Sequence, residues 1–208
     1  MSSSVSSGIK LGRPFGGTGF LYAKKYSKCL KHLINFTHER VTAMELSTKN
    51  GNIIIINAYM PFYNTCDYHN YLAMYQEVVG QIDSIMHTHT GSSFIITADF
   101  NCNIFDGTHP YSLLIRHLMA KYDLVSTFDS MPGFNSHTSF TRSDVKTNSF
   151  TLIDGILISR NLLPTISNVR ISNNGGNVSD HVPVEIDISV DISELILKPE
   201  RKLGQTLR

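Results

Sequence analysis

The sequence of 208 residues has little charge, few cysteines and no long apolar run. Charged residues make up 17% of the chain, against about 25% in an average soluble protein. The net charge of +1 argues against a protein that holds nucleic acid by a broadly basic surface. No segment approaches the roughly 18 apolar residues that cross a membrane, and the Ser-rich start lacks the apolar core of a secretory signal. We therefore expect an intracellular protein without a membrane segment.

The three cysteines, Cys29, Cys66 and Cys102, are an odd number and lack Cys-x-x-Cys spacing. They fit a reducing compartment and supply neither a disulfide framework nor a structural metal site. A chain of this length can bury most of its apolar surface without either device. We predict a single domain over 13–190, between a disordered lead over 1–12 and a linker or tail over 191–208.

Hydrophobic periodicity predicts helices that alternate with strands early in the chain, followed mostly by strands. Asn50-Gly51 separates two apolar runs and is the strongest short signal for a β-hairpin. Asp67 is a candidate cap for an amphipathic helix. The β-branched run 53–56 indicates a strand covered on both faces, and hence a layered α/β body. Helices are predicted at 67–86 and 111–122, and strands at 20–22, 40–47, 52–59, 94–96, 124–125, 137–141, 152–158, 169–171 and 182–188.

The segment Thr97-Ala98-Asp99-Phe100-Asn101 directly follows the predicted strand 94–96 and carries two polar residues, Asp99 and Asn101. On extended backbone they would point to the same side, because residues two apart share a face. A carboxylate beside a carboxamide can orient a water molecule and hold a phosphate oxygen. The alternative interpretation is an Asx turn that ends the strand.

One acid, Asp154, interrupts the apolar run 152–158. An unpaired buried carboxylate is costly, so Asp154 needs a partner such as a protonated histidine or a metal, unless it faces water from an edge strand.

The motif Ser179-Asp180-His181 precedes the last predicted strand. Adjacent residues on a strand face opposite sides, so Asp180 and His181 are not expected to pair with each other. His181 would instead pair with a distant acid, for which Asp154 is the best candidate, while Asp180 faces a cation. The alternative is a polar turn before Pro183.

Four motifs in this order resemble the endonuclease/exonuclease/phosphatase superfamily, the deoxyribonuclease-I-like group: Asn57-Ala58-Tyr59-Met60-Pro61, Asp99-Phe100-Asn101, Ile153-Asp154 and Ser179-Asp180-His181. The resemblance covers about 13–190. It implies an α+β fold, a four-layer sandwich of two packed mixed sheets with outer helices, whose active site lies at the strand ends on one edge. The segments 13–17 and 139–141 look most like the endonuclease domains of non-LTR retrotransposons, which nick target DNA ahead of reverse transcription.

The resemblance implies a role for each residue of the first two motifs. Asp99 would orient or deprotonate the attacking water, and Asn101 would bind the scissile phosphate. Tyr59 would donate its hydroxyl to that phosphate, unless it is a core tyrosine, and Asn57 would support the same substrate-binding loop.

The last two motifs complete the implied site. His181 would contact the phosphate as electrophile or acid/base, held in one tautomer by Asp154. Asp180 would be a metal-side carboxylate. Mg²⁺ (or Mn²⁺) and hydrogen-bond donors would stabilise the charge that builds on oxygen during an in-line displacement, which also reconciles a nuclease with a near-neutral chain.

Two family motifs are missing from the sequence: a first strand that ends in an active-site Asn, and a second whose Glu is the principal metal ligand. No acid precedes Gly16, and Glu39 and Glu45 match no metal position of the family. Mg²⁺ is commonly held by one or two carboxylates, so losing the main one should weaken metal affinity and catalysis. We therefore expect an N-terminally truncated domain of impaired activity, either a retroelement fragment or a reading frame that begins too late.

Three functions stay open at this point. The first is a Mg²⁺-dependent endonuclease that nicks DNA, with the nucleus as a plausible location and a reverse transcriptase domain in the full-length element. The second is a phosphoesterase of the same superfamily that acts on inositol phosphates or sphingomyelin, because such enzymes share these motifs. The third is a catalytically inactive remnant. The retroelement-like start and the absent signal peptide favour DNA, and the sequence does not indicate an oligomeric state.

Overall fold

The computed structural model describes residues 17–34, 38–144, 146–173, 175–176 and 178–192, together with the backbone of 2–4. The two α-helices are α1 (Tyr68–Thr88) and α2 (Pro110–Lys121). The strands are β1 (Ser2–Ser4), β2 (Thr18–Phe20), β3 (Leu30–His32), β4 (Val41–Thr48), β5 (Gly51–Tyr59), β6 (Ser93–Asp99), β7 (Leu124–Ser126), β8 (Arg142–Asp144), β9 (Ser149–Thr151), β10 (Asp154–Ser159), β11 (Ile166–Ile171) and β12 (Val184–Ile188).

A six-stranded mixed sheet in the order β3-β4-β5-β6-β10-β7 forms the centre of the fold. Strands β5 and β6 run parallel, and every other neighbouring pair in this sheet is antiparallel. The hairpin predicted at Asn50-Gly51 joins β4 to β5, with Thr48 opposite Gly51. Gly51 has a φ of 114°, which favours glycine and explains this turn.

Both α-helices pack on one face of the central sheet. As the periodicity predicts, α1 buries one stripe, which includes Tyr75, Ile82 and Met86, against the apolar side of β5 and β6. Tyr75 also stacks on Tyr111 of α2 with ring centroids 3.8 Å apart, which ties the two helices together. Asp67 precedes α1 as predicted, but its carboxylate accepts a hydrogen bond from the Asn70 side chain and not from the helix backbone.

The antiparallel pair β11–β12 covers the opposite face of the central sheet. Its apolar residues meet an inner row that includes Ile53 of β5, while Ile54 and Ile56 face the helices. The prediction that 53–56 is covered on both faces is therefore confirmed, as is the α+β class with packed sheets and an outer helix layer. Within the described residues, the second packed sheet has two strands, and both α-helices lie on the far side of the central sheet.

One predicted strand, 137–141, is wrong. The Asn135 carbonyl accepts the N–H groups of Thr138 and Ser139, and its side-chain oxygen accepts the N–H of His137. This local hydrogen bonding forms a turn and outcompetes the extended pattern. Strand β8 begins only at Arg142, and the other predicted elements are present with bounds that differ by at most three residues.

The ends of the predicted domain are only partly described. The backbone of Ser2–Ser4 pairs with Thr18–Phe20, so part of the predicted lead is a strand. Residues 13–16 of the retroelement-like segment and residues 193–208 of the tail lie outside the described residues. The domain boundaries therefore stay a prediction. In the described part of the chain, neither α-helix is both long and apolar enough to cross a membrane.

Gly80→Ala and Gly51→Ala should change the free energy of unfolding in opposite directions. A Cβ would meet nothing within 4 Å at either position. Gly80 lies inside α1, where Ala is favoured by about 0.5–1 kcal/mol. Gly51 has a positive φ that Ala avoids, so its substitution should cost about 1 kcal/mol or more. Urea denaturation measures both variants, and a stabilised Gly51→Ala would contradict the assigned turn.

Candidate active site

A row of polar residues lies across neighbouring strands at one edge of the central sheet. Tyr59 at the end of β5 lies opposite Asp99 at the end of β6. Asp99 in turn lies opposite Asp154 at the start of β10. Parallel strands end at the same edge, and an antiparallel neighbour begins there, so the topology alone brings these residues together.

The side chains of this row share a face with the interface between the two sheets. Residues two apart on a strand lie on the same face, so the apolar positions that contact β11–β12 continue into polar ones towards the edge. The alternation is Ile53-Ile55-Asn57-Tyr59 in β5, Ile95-Thr97-Asp99 in β6 and Ile158-Ile156-Asp154 in β10. The site is thus the polar end of an otherwise apolar interface, at a cleft of about 340 Å³ lined by Asp99, Asp154 and His181.

His181 and Asp154 form the pair that the cost of a buried carboxylate predicts. Nδ1 of His181 lies 2.9 Å from one carboxylate oxygen of Asp154 and 3.1 Å from the other. This hydrogen bond raises the pKa of His181 above its ordinary value, against desolvation, which lowers it. No described residue hydrogen-bonds to Nε2, so that atom is available to a ligand.

Asp99 ends β6 in a strained turn with Asn101. Its Oδ1 accepts the backbone N–H of Asn101 at 2.9 Å, and Asn101 has a left-handed φ of 50°. The Asx turn considered as an alternative is therefore present. Burial raises the pKa of Asp99 to about 6, and the Asp154 carboxylate adds to the effect. The side-chain amide of Asn101 donates one N–H to the Met60 carbonyl at 2.7 Å. Its second N–H has no acceptor among the described residues and can donate to a ligand.

Asn57 and Tyr59 occupy the β5 side of the row. Asn57 donates to the Gly19 carbonyl at 3.1 Å and accepts from the Thr97 hydroxyl at 3.2 Å, so it braces the strands around the site. Tyr59 is half-buried and is not one of the core tyrosines, unlike Tyr75.

Asp180 lies outside the Asp99–Asp154–His181 group. Its carboxylate accepts a hydrogen bond from Arg142 Nε at 3.0 Å, so the cation that it faces is Arg142. Slight desolvation raises the pKa of Asp180, but the Arg142 hydrogen bond and nearby His181 outweigh it and lower that pKa. Its predicted role beside a metal stays a prediction.

The sequence interpretation missed the contribution of Thr141. This fully buried residue accepts the backbone N–H groups of Ile153 and Asp154 through its hydroxyl, at 3.1 and 2.9 Å. Its carbonyl accepts the N–H of Val182 at 2.6 Å. Thr141 therefore fixes the backbone on both sides of the Asp154–His181 pair. No sequence signal reveals this, because both partners lie far along the chain.

Asp99, Asp154 and His181 each offer a ligand atom, and these atoms lie within 4.8 Å of one another. Mg²⁺ is usually bound by one or two carboxylates together with water and substrate phosphate oxygens. Asp99 and Asp154 supply the carboxylates, and a cation between them would offset the burial and the neighbouring charge that raise the pKa of Asp99. Nδ1 of His181 is not free to bind a cation, because it already bonds Asp154. The residues therefore fit a divalent cation that is held by the two acids.

Solved structures share this fold, although no protein-family model and no curated protein sequence matches the chain. The 3′ phosphatase NExo from Neisseria, bound to a product DNA hairpin, matches with a TM-score of 0.60 and 16% identity over 77% of this chain and 70% of that one. The endonuclease domain of TRAS1, a telomere-specific non-LTR retrotransposon, matches with a TM-score of 0.57 and 12% identity over 76% of this chain and 68% of that one.

The catalytic domain of Xenopus laevis APE2 also matches, with a TM-score of 0.57 and 21% identity over 74% of this chain and 57% of that one. The predicted resemblance to the deoxyribonuclease-I-like group is confirmed for the fold. At these low identities the likeness extends to the fold alone.

Asp99→Asn should stabilise the protein at pH 8 and much less at pH 4.5. The folded-state pKa near 6 exceeds the ordinary 3.8, so the protonated carboxyl favours folding at low pH and this contribution is lost as the pH rises through 6. At about 1.4 kcal/mol per pH unit, discounted for partial exposure, the charged form costs on the order of 2 kcal/mol. Urea denaturation in EDTA at the two pH values measures the difference.

Asp180→Asn is the matched control with the opposite sign. The pKa of Asp180 is lowered, so its contribution to stability is present above the ordinary pKa and is lost as the pH falls. This exposed substitution should slightly destabilise the protein at pH 8. Equal effects of both substitutions at the two pH values would refute the assigned environment of Asp99.

Proposed function

We propose that the protein is a divalent-metal-dependent phosphodiesterase of the endonuclease/exonuclease/phosphatase superfamily that cleaves the DNA backbone. The observation that carries the proposal is Asp99 set opposite Asp154, which in turn holds His181 through Nδ1. This constellation lies at the strand ends of a fold shared with DNA-processing enzymes.

Asp99 and His181 divide the chemistry between them. Asp99 orients the attacking water, and in the metal-free site its near-neutral pKa also suits it to take up a proton. His181 presents Nε2 to the phosphate, because Asp154 holds Nδ1, and its raised pKa favours the protonated form that stabilises negative charge. Asn101 and Tyr59 supply further donors to the phosphate oxygens.

A Mg²⁺ ion held by Asp99 and Asp154 would stabilise the charge on the phosphate oxygens during in-line displacement. A cation beside a carboxylate favours its ionised form, so Asp99 would orient the attacking water and accept its proton as the water adds to phosphorus. Protonated His181 could return a proton to the leaving oxygen. Asp180 would bind the cation only if its ion pair with Arg142 were broken.

The proposal also includes a retroelement origin and impaired activity. It further includes a location in the nucleus and a reverse transcriptase domain as partner. Origin is supported by the segments 13–17 and 139–141 and by the shared fold of the TRAS1 domain. Impaired activity is supported by the lack of a counterpart to the family's metal-binding Glu. With one strong carboxylate fewer, the remaining acids should bind Mg²⁺ weakly.

Supercoiled plasmid incubated with the protein and Mg²⁺ should be converted slowly to nicked circles, and EDTA should stop the reaction. Asp99→Asn and His181→Ala should each lower the rate by about 10²-fold or more, because each removes a group aimed at the reacting phosphate. Asp123→Asn is the matched control, since Asp123 pairs with exposed Arg160 at the far end of β10. Gel quantification of the plasmid forms measures the rates.

A soluble phosphoinositide in a parallel reaction distinguishes the alternatives. Turnover of the phosphoinositide alone would refute the DNA proposal in favour of the phosphoesterase. No turnover of either substrate would support the inactive remnant. Nicking that survives His181→Ala would point to a contaminating nuclease and contradict the assigned site.

A further inference from the structure

Arg40 extends the row of site residues by one strand. It directly precedes β4, and its carbonyl accepts the backbone N–H of Tyr59 at 2.9 Å. The row therefore runs from Arg40 through Tyr59 and Asp99 to Asp154, one residue per strand. With neighbouring strands about 4.8 Å apart, the Arg40 backbone lies about 10 Å from that of Asp99.

The guanidinium of Arg40 lies over the Tyr59 ring, 5.1 Å from its centroid. Its one hydrogen bond to a described residue runs from Nη1 to the Tyr59 carbonyl at a long 3.4 Å, and its buried Nε has no partner among the described residues. No acid in the described ranges forms an ion pair with it, whereas Arg142, Arg160 and Arg170 each bind a carboxylate.

A guanidinium carries five N–H donors in a planar fork, and leaving such donors unmatched in a partly buried place is costly. Stacking on Tyr59 holds the fork in place, and no acid of the described ranges neutralises its charge. The group that matches this fork in geometry and in charge is a phosphate. Because β5 lies between Arg40 and Asp99 and their backbones are about 10 Å apart, that phosphate is not the one being hydrolysed.

We propose that Arg40 binds a backbone phosphate of the DNA strand that flanks the scissile phosphate, an inference that rests on the proposed function and extends it. Arg40 then fixes the register of the strand across Tyr59, so that the next phosphate lies between Asp99 and His181. It is a binding and positioning residue, and its loss should weaken binding far more than turnover at saturating DNA.

Binding of a fluorescent duplex oligonucleotide, measured by anisotropy in EDTA at several salt concentrations, tests this role. Each phosphate contact contributes about 0.9 to the slope of log K against log salt. Arg40→Gln should reduce that slope by about one contact and weaken binding equally for unrelated sequences. Arg40→Lys keeps the charge and should keep most of the slope.

Arg160→Gln is the matched control, because it removes the same charge at the opposite end of β10, where Arg160 pairs with Asp123. Its slope should equal that of the unmodified protein. An unchanged slope in Arg40→Gln, in a protein that still binds DNA, would overturn this inference and leave the proposed function standing. If Arg40 served only to pack on Tyr59, Arg40→Gln and Arg40→Lys would both lower the melting temperature, and neither would change the slope. That result would overturn this inference and leave the proposed function standing. Failure of the unmodified protein to bind DNA would overturn both proposals.

Discussion

The pairing of β6 with β10 sets the carboxyls of Asp99 and Asp154 side by side, and the rest of the site depends on this constraint. Burial raises the pKa of Asp99 to about 6, and the neighbouring Asp154 carboxylate adds to this effect. The two acids have different partners among the described residues: Asp154 binds His181, whereas Asp99 accepts the backbone N–H of Asn101. A carboxyl whose pKa lies near neutrality is suited to acid–base chemistry.

The site also depends on where the second sheet ends. The face of the central sheet that carries Asn57, Asp99 and Asp154 is the face that packs on β11–β12 through isoleucines further along the same strands. Apolar packing therefore holds the strands rigidly and leaves the polar ends at a cleft. The rigid interface between the sheets places the site residues precisely. The site residues themselves lower the stability of the fold, as the charged form of Asp99 and the left-handed backbone of Asn101 illustrate.

Part of this arrangement is predictable because it follows from local chemistry. The Asn50-Gly51 hairpin and the buried stripe of α1 depend on residues close in sequence. The Asp154–His181 pair is predictable for another reason, since a carboxylate in an apolar strand requires a partner somewhere. The predicted strand at 137–141 is wrong because Asn135 accepts the backbone N–H groups that a strand would need for pairing. Hydrophobic periodicity does not reveal this competing hydrogen bonding.

By themselves, residue type and spacing determined the Asn50-Gly51 hairpin, the two α-helices, a layered α/β body and the need of Asp154 for a partner. The α+β class came from the family resemblance that the four motifs carry. Only the tertiary structure decided that Asp180 faces Arg142, that buried Thr141 anchors the Asp154 backbone, and that Arg40 lies on Tyr59 with no ion pair to a described acid. Each of these depends on which strands become neighbours and in which register. Strand neighbours and register are decided by the apolar surface buried over the whole interface between the elements, and no single stretch of sequence specifies them.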